Sequence, residues 1–204
     1  MTLAHARLYL VAPARLATGD LAAAIPDLAA AGVDVVQLRE KDRSPGDIQA
    51  LAEPVLDACR ETGIPFIVND YPEVAAAVGA DGVHVGQDDV AVPDARRVTG
   101  GIVGLSTHTR DQITAAMEVA PDYIAVGPVF ATPTKPGRSS VGLDLVSFAA
   151  GAVEIPWFAI GGIDEETIED VVAAGARRVV VVRAITHAPD PPAAAARLAA
   201  ALPG

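Results

Sequence analysis

Ala30-Ala31-Gly32-Val33-Asp34-Val35-Val36 is the segment that decides the fold of this chain. Small residues that suit a helix are followed by a glycine, which favours the left-handed conformation of helix termini, and then by a β-branched run. Two other segments repeat this order, namely Ala77-Val78-Gly79-Ala80-Asp81-Gly82-Val83 and Ala173-Ala174-Gly175-Ala176-Arg177-Arg178-Val179. Each of the three segments predicts a helix that ends near a glycine and leads into a strand.

The alternation of short β-branched runs and Ala-rich stretches continues over the whole chain, which is typical of strand–helix–strand units around a parallel sheet. Eight strands are predicted, at Ala6–Val11, Val35–Arg39, Pro65–Asn69, Gly82–Val85, Ile102–Ser106, Tyr123–Val126, Trp157–Ile160 and Arg178–Val182. Helices are predicted at Leu21–Ala31, Asp47–Glu61, Arg110–Val119, Glu165–Ala174 and Pro192–Leu202. This pattern predicts an α/β fold, a single (β/α)8 TIM barrel over residues 1–204. An open, doubly wound sheet is the alternative, because periodicity does not reveal whether a sheet closes.

Composition and charge narrow the classes of partner. A formal net charge of −11 argues against a nucleic-acid surface, which needs clustered Lys and Arg. Cys59 is the single cysteine, so no internal disulfide forms, and a core or boundary position in a reducing cytoplasm is expected. The apolar stretch at residues 8–14 is too short to span a membrane and lacks the pattern of an export signal. The sequence does not indicate an oligomeric state.

Gln37-Leu38-Arg39-Glu40-Lys41 follows the second predicted strand. Alternation in an extended chain directs Gln37, Arg39 and Lys41 to one side. Two cations at this point suit a polyanion such as a diphosphate. The alternative is a solvated strand end in which Glu40 pairs with Arg39 or Lys41.

Acidic residues follow the third and fourth predicted strands, at Asn69-Asp70 and at Gly86-Gln87-Asp88-Asp89. The carboxyl ends of neighbouring parallel strands lie at one end of a barrel, so these loops are expected to lie side by side. Carboxylate and amide oxygens are suitable ligands for Mg²⁺, which also binds phosphate oxygens of a substrate. The alternative is that Asp70 and Asp89 only cap the helices that follow.

The ends of the remaining strands add polar and flexible groups. Ser106 is a candidate for a substrate hydrogen bond, whereas His108 is interpreted as a local hydrogen-bonding residue. The long polar loop from Gly127 to Ser140 predicts a lid, with a plain connection as the alternative. Gly161-Gly162 after the seventh strand, together with the end of the eighth, predicts a monophosphate site.

Over residues 8–185 these motifs resemble the thiamine phosphate synthase family in order and spacing. The segments that carry the resemblance are Gln37-Leu38-Arg39-Glu40-Lys41, Asn69-Asp70, residues 79–87, Gly104-Leu105-Ser106-Thr107-His108, residues 122–130 leading into Thr132-Pro133-Thr134-Lys135, Gly142-Leu143-Asp144 and residues 159–163. The resemblance implies a transferase that condenses 4-amino-2-methyl-5-hydroxymethylpyrimidine diphosphate with hydroxyethylthiazole phosphate, or its carboxylated form. The products would be thiamine phosphate and pyrophosphate.

The resemblance also implies a role for each matching residue. Arg39, Lys41 and Lys135 resemble the groups that hold the departing pyrophosphate, and Asp70 and Asp89 resemble the Mg²⁺ ligands. The residues that resemble those around the pyrimidine and its diphosphate are Gln37, Asn69 and Ser106, with Ser106 also in the catalytic set. Those that resemble the thiazole phosphate site are Thr132, Thr134, Gly162 and the backbone at Val182 and Arg183.

Two positions depart from the family pattern. Tyr71 stands where many relatives have Arg, and Arg183 stands where many have Ser. Neither is a proposed metal ligand. We hypothesise that Arg183 keeps a backbone contact and adds a cation near the thiazole phosphate.

Two other functions are alternatives to the synthase function that the resemblance implies. A thiazole tautomerase of the same barrel superfamily would need a proton shuttle, for which His108 is the candidate. A non-catalytic phosphate-binding barrel would account for Gly161-Gly162. Neither needs the combination of Asn69-Asp70, Asp89 and Thr134-Lys135, which favours the synthase.

Overall fold

Parallel strands close into a barrel in the computed structural model, which describes residues 3–132 and 139–204. The sheet is closed, because the first strand pairs with the second barrel strand on one side and with the last barrel strand on the other. The eight barrel strands are Leu8–Ala12 (β1), Val35–Leu38 (β4), Phe66–Asn69 (β5), Gly82–Val85 (β6), Ile102–Thr107 (β7), Tyr123–Val126 (β8), Trp157–Ile160 (β9) and Val179–Val181 (β10). A short antiparallel pair, Arg15–Leu16 (β2) and Gly19–Asp20 (β3), lies outside the barrel. The predicted barrel is confirmed, and the open sheet is excluded.

Helices follow the barrel strands around the outside. They are Leu21–Ala30 (α1), Pro45–Thr62 (α2), Pro72–Val78 (α3), Val92–Thr99 (α4), Arg110–Val119 (α5), Leu143–Ala152 (α6), Ile168–Ala173 (α7), Arg183–Thr186 (α8) and Pro191–Ala201 (α9). The helix predicted from Asp47 begins earlier, because the side chains of Ser44 and Asp47 form a capping box. The helix predicted from Glu165 begins three residues later, because a turn precedes it in which Thr167 N–H donates to Asp164.

The repeated segments tie neighbouring strands together at the N-terminal end of the barrel. Gly32, Gly79 and Gly175 have φ of 99°, 74° and 106°, as the predicted helix ends require. The aspartates of the first two repeats bind the starts of other strands, since Asp34 Oδ2 accepts from Leu8 N–H at 2.9 Å and Asp81 Oδ2 accepts from Phe66 N–H at 2.8 Å. The repeat therefore sets strand order as well as helix termination.

The hydrophobic core has two layers. Most buried side chains lie between the strands and the surrounding helices, and Cys59 is among them, as predicted. A smaller cluster fills the inside of the barrel, and it consists of Leu3, Ala6, Tyr9, Val11, Val35, Ile67, Ile102, Tyr123, Phe158 and Val180. This filling leaves the carboxyl ends of the strands as the open end.

Across residues 3–132 and 139–204, none of the helices combines the length and the apolar character needed to cross a lipid bilayer.

Candidate active site

A cavity of about 490 Å³ opens at the carboxyl ends of the strands. Ten of the residues that the sequence identified as candidates line it, namely Gln37, Arg39, Asn69, Asp70, Asp89, Ser106, Thr132, Gly162, Val182 and Arg183. Lys41 lies in an adjoining cavity of about 530 Å³, which Arg39 and Arg183 also line. Thr134 and Lys135 lie outside the described residues.

Asp70 and Asp89 form an acidic pair at the cavity, in contact through their side chains. Burial raises the pKa of the Asp70 carboxyl to about 6, and the negative charge of Asp89 and the hydrogen bond between the two side chains add to this. The Asn69 side chain and the Arg39 charge act in the opposite direction. Such a pair gains stability from any cation that reduces the repulsion.

Backbone conformation and backbone hydrogen bonds set the positions of Asp70 and Asp89. Asp70 has φ of +66°, which is uncommon for a residue other than glycine, and its N–H donates to the His84 carbonyl at 2.8 Å. Asp89 Oδ2 accepts from Gly86 N–H at 2.7 Å, and a Cβ at residue 86 would lie 2.8 Å from that same oxygen. The helix-capping alternative is wrong for both, because the capping positions are Tyr71 and Ala91, neither with a side-chain cap.

The acidic pair fits a hard divalent cation. Mg²⁺ is usually bound by one or two carboxylates, several waters and substrate phosphate oxygens. Within residues 3–132 and 139–204, no group of three or more His, Cys, Asp and Glu side chains is arranged to hold a metal. An ion held by Asp70 and Asp89 therefore needs further ligands from water or substrate.

Positive charge borders the acidic pair. Arg39 and Arg183 line both cavities, and Lys41 and Arg43 line the second. The Glu40 carboxylate is bonded to the backbone, since its Oε1 accepts from Ala14 N–H at 2.7 Å. These cations give the site a local positive charge in a protein whose net charge is −11.

Glycines form the opposite wall. Gly161 and Gly162 have φ of 104° and 66°. A Cβ at residue 162 would lie 2.7 Å from the Cβ of Phe130, and the N–H of Phe130 donates to the Gly161 carbonyl at 2.9 Å. The loop after β8 is therefore packed closely against the loop after β9.

His108 lines the cavity and is bonded to the protein at two points. Its ring Nδ1 bonds to the Gly127 carbonyl directly after the next strand, and its backbone N–H donates to Gln112 Oε1 at 2.8 Å. The local role that the sequence suggested stays a prediction.

A buried row of side chains beneath the cavity was missed by the sequence reading. Gln37 Nε2 donates to the Tyr9 hydroxyl at 2.6 Å, and the hydroxyls of Tyr9 and Tyr123 lie 2.9 Å apart. His84 then joins Tyr123 to Ser106, with Nδ1 at 3.0 Å from the Tyr123 hydroxyl and Nε2 at 2.9 Å from Ser106 Oγ. Tyr9, His84 and Tyr123 each place a polar atom at an inward-facing position of an otherwise apolar strand, and this was the sequence signal that could have identified them.

The two departures from the family pattern have different surroundings. Tyr71 is half-buried and packs against the outer core at the start of α3. Arg183 is exposed and lies at the junction of the two cavities. Only Arg183 is placed to face a ligand.

Comparison with known proteins agrees with this geometry. A family model described as thiamine monophosphate synthase matches residues 8–185. A thiamine-phosphate synthase from Acidothermus cellulolyticus is 50% identical over 205 residues, covering 98% of this chain and 97% of the relative. One from Thermus thermophilus is 53% identical over 170 residues, covering 83% and 82%.

Solved structures give the same result. A thiamine phosphate pyrophosphorylase from Pyrococcus furiosus has a TM-score of 0.86 at 26% identity, covering 96% of this chain and 94% of that one. A 3-hexulose-6-phosphate synthase has a TM-score of 0.67 at 20% identity, covering 97% and 100%, and this likeness concerns the fold alone. The family model matches residues 8–185, and a relative is 50% identical over 98% of the chain. The chain therefore belongs to the thiamine monophosphate synthase family.

Proposed function

We propose that this chain condenses 4-amino-2-methyl-5-hydroxymethylpyrimidine diphosphate with hydroxyethylthiazole phosphate, or with its carboxylated form, to yield thiamine phosphate and pyrophosphate. Relatives at about 50% identity over most of the chain bear the name of this activity. The observation that carries the proposal is the acidic pair Asp70–Asp89 beside Arg39 in one cavity. A diphosphate with a divalent cation needs this combination of charges.

The reaction breaks one bond and forms one. The C–O bond between the pyrimidine methylene and the diphosphate breaks, and the diphosphate keeps the electron pair. The thiazole nitrogen then gives its lone pair to the methylene carbon. The enzyme contributes by stabilising the charge that develops on the departing group and by excluding water from the cationic carbon.

Asp70 and Asp89 would hold the metal, which we propose to be Mg²⁺. Bound there, the ion would supply positive charge against the diphosphate oxygens. Arg39, Lys41 and Lys135 would hold the pyrophosphate, and the charge of Arg39 acts to lower the pKa of the Asp70 carboxyl. The guanidinium binds two phosphate oxygens at once, whereas lysine acts as a point charge.

The remaining residues would bind the two rings and the monophosphate. Gln37, Asn69 and Ser106 are proposed for the pyrimidine and its diphosphate. Thr132, Thr134, Gly162, Val182 and Arg183 are proposed for the thiazole phosphate. Support comes from the close packing of Gly162 against Phe130, which leaves no room for a side chain at position 162.

We propose further that residues 1–204 act as one catalytic domain on small molecules in the cytoplasm. The buried, single Cys59 suits a reducing compartment.

The rival functions have less support. A tautomerase would use His108 as its proton shuttle, and that chemistry has no need of the acidic pair Asp70–Asp89. A phosphate-binding barrel without catalysis has no use for the acidic pair.

The test incubates the purified protein with both substrates and Mg²⁺ and measures thiamine phosphate and pyrophosphate. We expect the two products in equal amounts. Isomerisation of the thiazole without condensation would identify a tautomerase, and binding of both substrates without product would identify a binding protein. Either result would overturn the proposal.

A further inference from the structure

Five side chains form one continuous row of hydrogen bonds across the inside of the barrel, in the order Gln37, Tyr9, Tyr123, His84 and Ser106. We call this row the buried polar chain. All five are buried, with exposed fractions of 3%, 1%, 0%, 7% and 8%. Four of the five line the cavity, namely Gln37, Tyr9, His84 and Ser106, and Tyr123 joins Tyr9 to His84 behind them. The chain therefore connects two ligand-facing groups through the barrel interior.

Counting protons gives the chain a direction. Burial raises the pKa of both tyrosines, so both stay neutral phenols with one proton each. Since Gln37 donates to Tyr9, the proton of Tyr9 goes to Tyr123 and that of Tyr123 goes to His84 Nδ1. The proton of His84 then lies on Nε2 and is donated to Ser106 Oγ.

The two ends are left with opposite roles. Gln37 uses one of its two amide N–H groups on Tyr9, so its carbonyl oxygen is left to accept and its second N–H is also left. Ser106 accepts from His84, so its own proton is left to donate. If the Gln37 amide is turned over, every bond in the chain reverses and both ends change roles together.

The packing holds this arrangement in place. The ring of Tyr123 lies 5.8 Å from that of Tyr9 and 5.6 Å from that of Phe158. Gly104 leaves the space for it, because a Cβ at residue 104 would lie 2.1 Å from Tyr123 Cζ. Tyr123 therefore cannot move away from its partners without repacking the interior.

We propose that His84 is a positioning residue which, through Tyr123 and Tyr9, forces Gln37 and Ser106 to present one acceptor and one donor to the ligand. The inference rests on the proposed function, in which that ligand is an aminopyrimidine. Such a ring carries an amino donor and ring-nitrogen acceptors, so one end of the chain matches each. A ring that offered only acceptors would leave one end unpaired, which costs affinity in a dry site.

The first test is Tyr123→Phe, which removes the central hydroxyl and keeps the ring. We expect the KM for the pyrimidine diphosphate to rise about tenfold, as for loss of one buried hydrogen-bond match. The KM for the thiazole phosphate should not change. Phe158→Leu is the matched control, because it removes an aromatic neighbour of both tyrosine rings but none of the five hydrogen-bonding groups, and it should change the KM for the pyrimidine diphosphate less than Tyr123→Phe does.

A double-mutant cycle separates positioning from a structural role. Because Tyr123 acts on Ser106 through His84 as well as on Gln37 through Tyr9, Tyr123→Phe should raise the KM by a smaller factor when Ser106 is already Ala than in the parent protein. Multiplicative effects of the two substitutions would overturn the proposal. At His84 itself, Gln keeps an amide for Ser106 and should restore much of the affinity that Leu loses. Equal loss in His84→Gln and His84→Leu would also overturn it.

The outcomes for the two proposals are distinct. A parent protein without condensation activity would overturn the proposed function and, with it, the assignment of the aminopyrimidine. An active parent protein whose Tyr123→Phe variant has an unchanged KM would overturn the role of the buried polar chain alone.

Discussion

The two walls of the cavity differ in the way they offer binding groups. At the ends of β4 to β6 the wall carries charged side chains. Asp70 and Asp89 are in contact there, and the charge of Arg39 acts on Asp70. At the end of β9 it includes backbone without side chains, at Gly161 and Gly162, which lie against the loop that holds Phe130. The first wall is sensitive to a change of charge, and the second to the addition of a single carbon atom.

Loss of a carboxylate on the charged wall should have the largest effect. We expect Asp70→Ala to lower turnover about 100-fold or more, because a ligand to the proposed metal is removed. The fold should persist, since the substitution also removes repulsion from Asp89. Pyrophosphate release and thermal unfolding measure the two effects. Asp88→Ala, in the same loop as Asp89, is the control and should retain activity. Full activity in Asp70→Ala would eliminate the metal assignment.

On the backbone wall, Gly162→Ala should weaken thiazole phosphate binding about tenfold, as for one or two lost hydrogen bonds. The new Cβ would lie 2.7 Å from that of Phe130, at a residue with φ of +66°. Gly63→Ala is matched for strain, with φ of +75° and no atom within 4 Å of the added carbon. Both variants should lose about 1 kcal/mol of stability from the left-handed conformation. If the KM for thiazole phosphate rises equally in both, the wall has no specific role.

A smaller effect is expected where the two walls meet. Arg183→Ser should raise the KM for thiazole phosphate about threefold, as for an exposed cation facing a phosphate. High salt should reduce the difference between the variant and the parent protein. Arg15→Ser, which removes an exposed arginine paired with Asp20, serves as the control. An unchanged KM would show that Arg183 contributes no charge to this site.

The smallest effect concerns pH in the metal-free protein. The pKa of Asp70 is raised from 3.8 to about 6 on folding, so the native state binds a proton more tightly than the unfolded chain between these values. The free energy of unfolding should therefore fall as pH rises through that interval. Asp89→Asn should flatten this part of the curve, because it removes the neighbouring charge. Chemical unfolding in EDTA at several pH values measures the free energy of unfolding. If it falls equally with pH in the parent protein and in Asp89→Asn, the electrostatic account is wrong.

Much of the fold could be predicted from the sequence because it depends on local periodicity. The strands Gly82–Val85 and Tyr123–Val126 were predicted with the bounds that the structure has. The short pair β2 and β3 was not, since two residues are too few to show a period. The sequence predicts that α2 begins at Asp47, but the helix begins at Pro45. The difference arises because Ser44 and Asp47 form a side-chain capping box before the first buried residues of the helix.

The candidate site divides in the same way. Charged residues at strand ends were visible, because they interrupt apolar runs at the positions where barrels carry their sites. The buried polar chain was not visible, because Tyr9, His84 and Tyr123 are far apart in sequence and single polar atoms in apolar strands resemble core residues.

The order of the residues alone determined which groups reach the mouth of the barrel, since alternation and strand polarity are properties of neighbouring residues. The tertiary structure alone decided which of those groups touch one another. Asp70 meets Asp89 because the paired strands β5 and β6 end side by side, whereas Gln37 is linked to Ser106 only because closure of the barrel brings distant strands within hydrogen-bonding distance. The space left by Gly104 and Gly162 is likewise a property of packing, because what a missing side chain admits depends on the atoms that lie opposite.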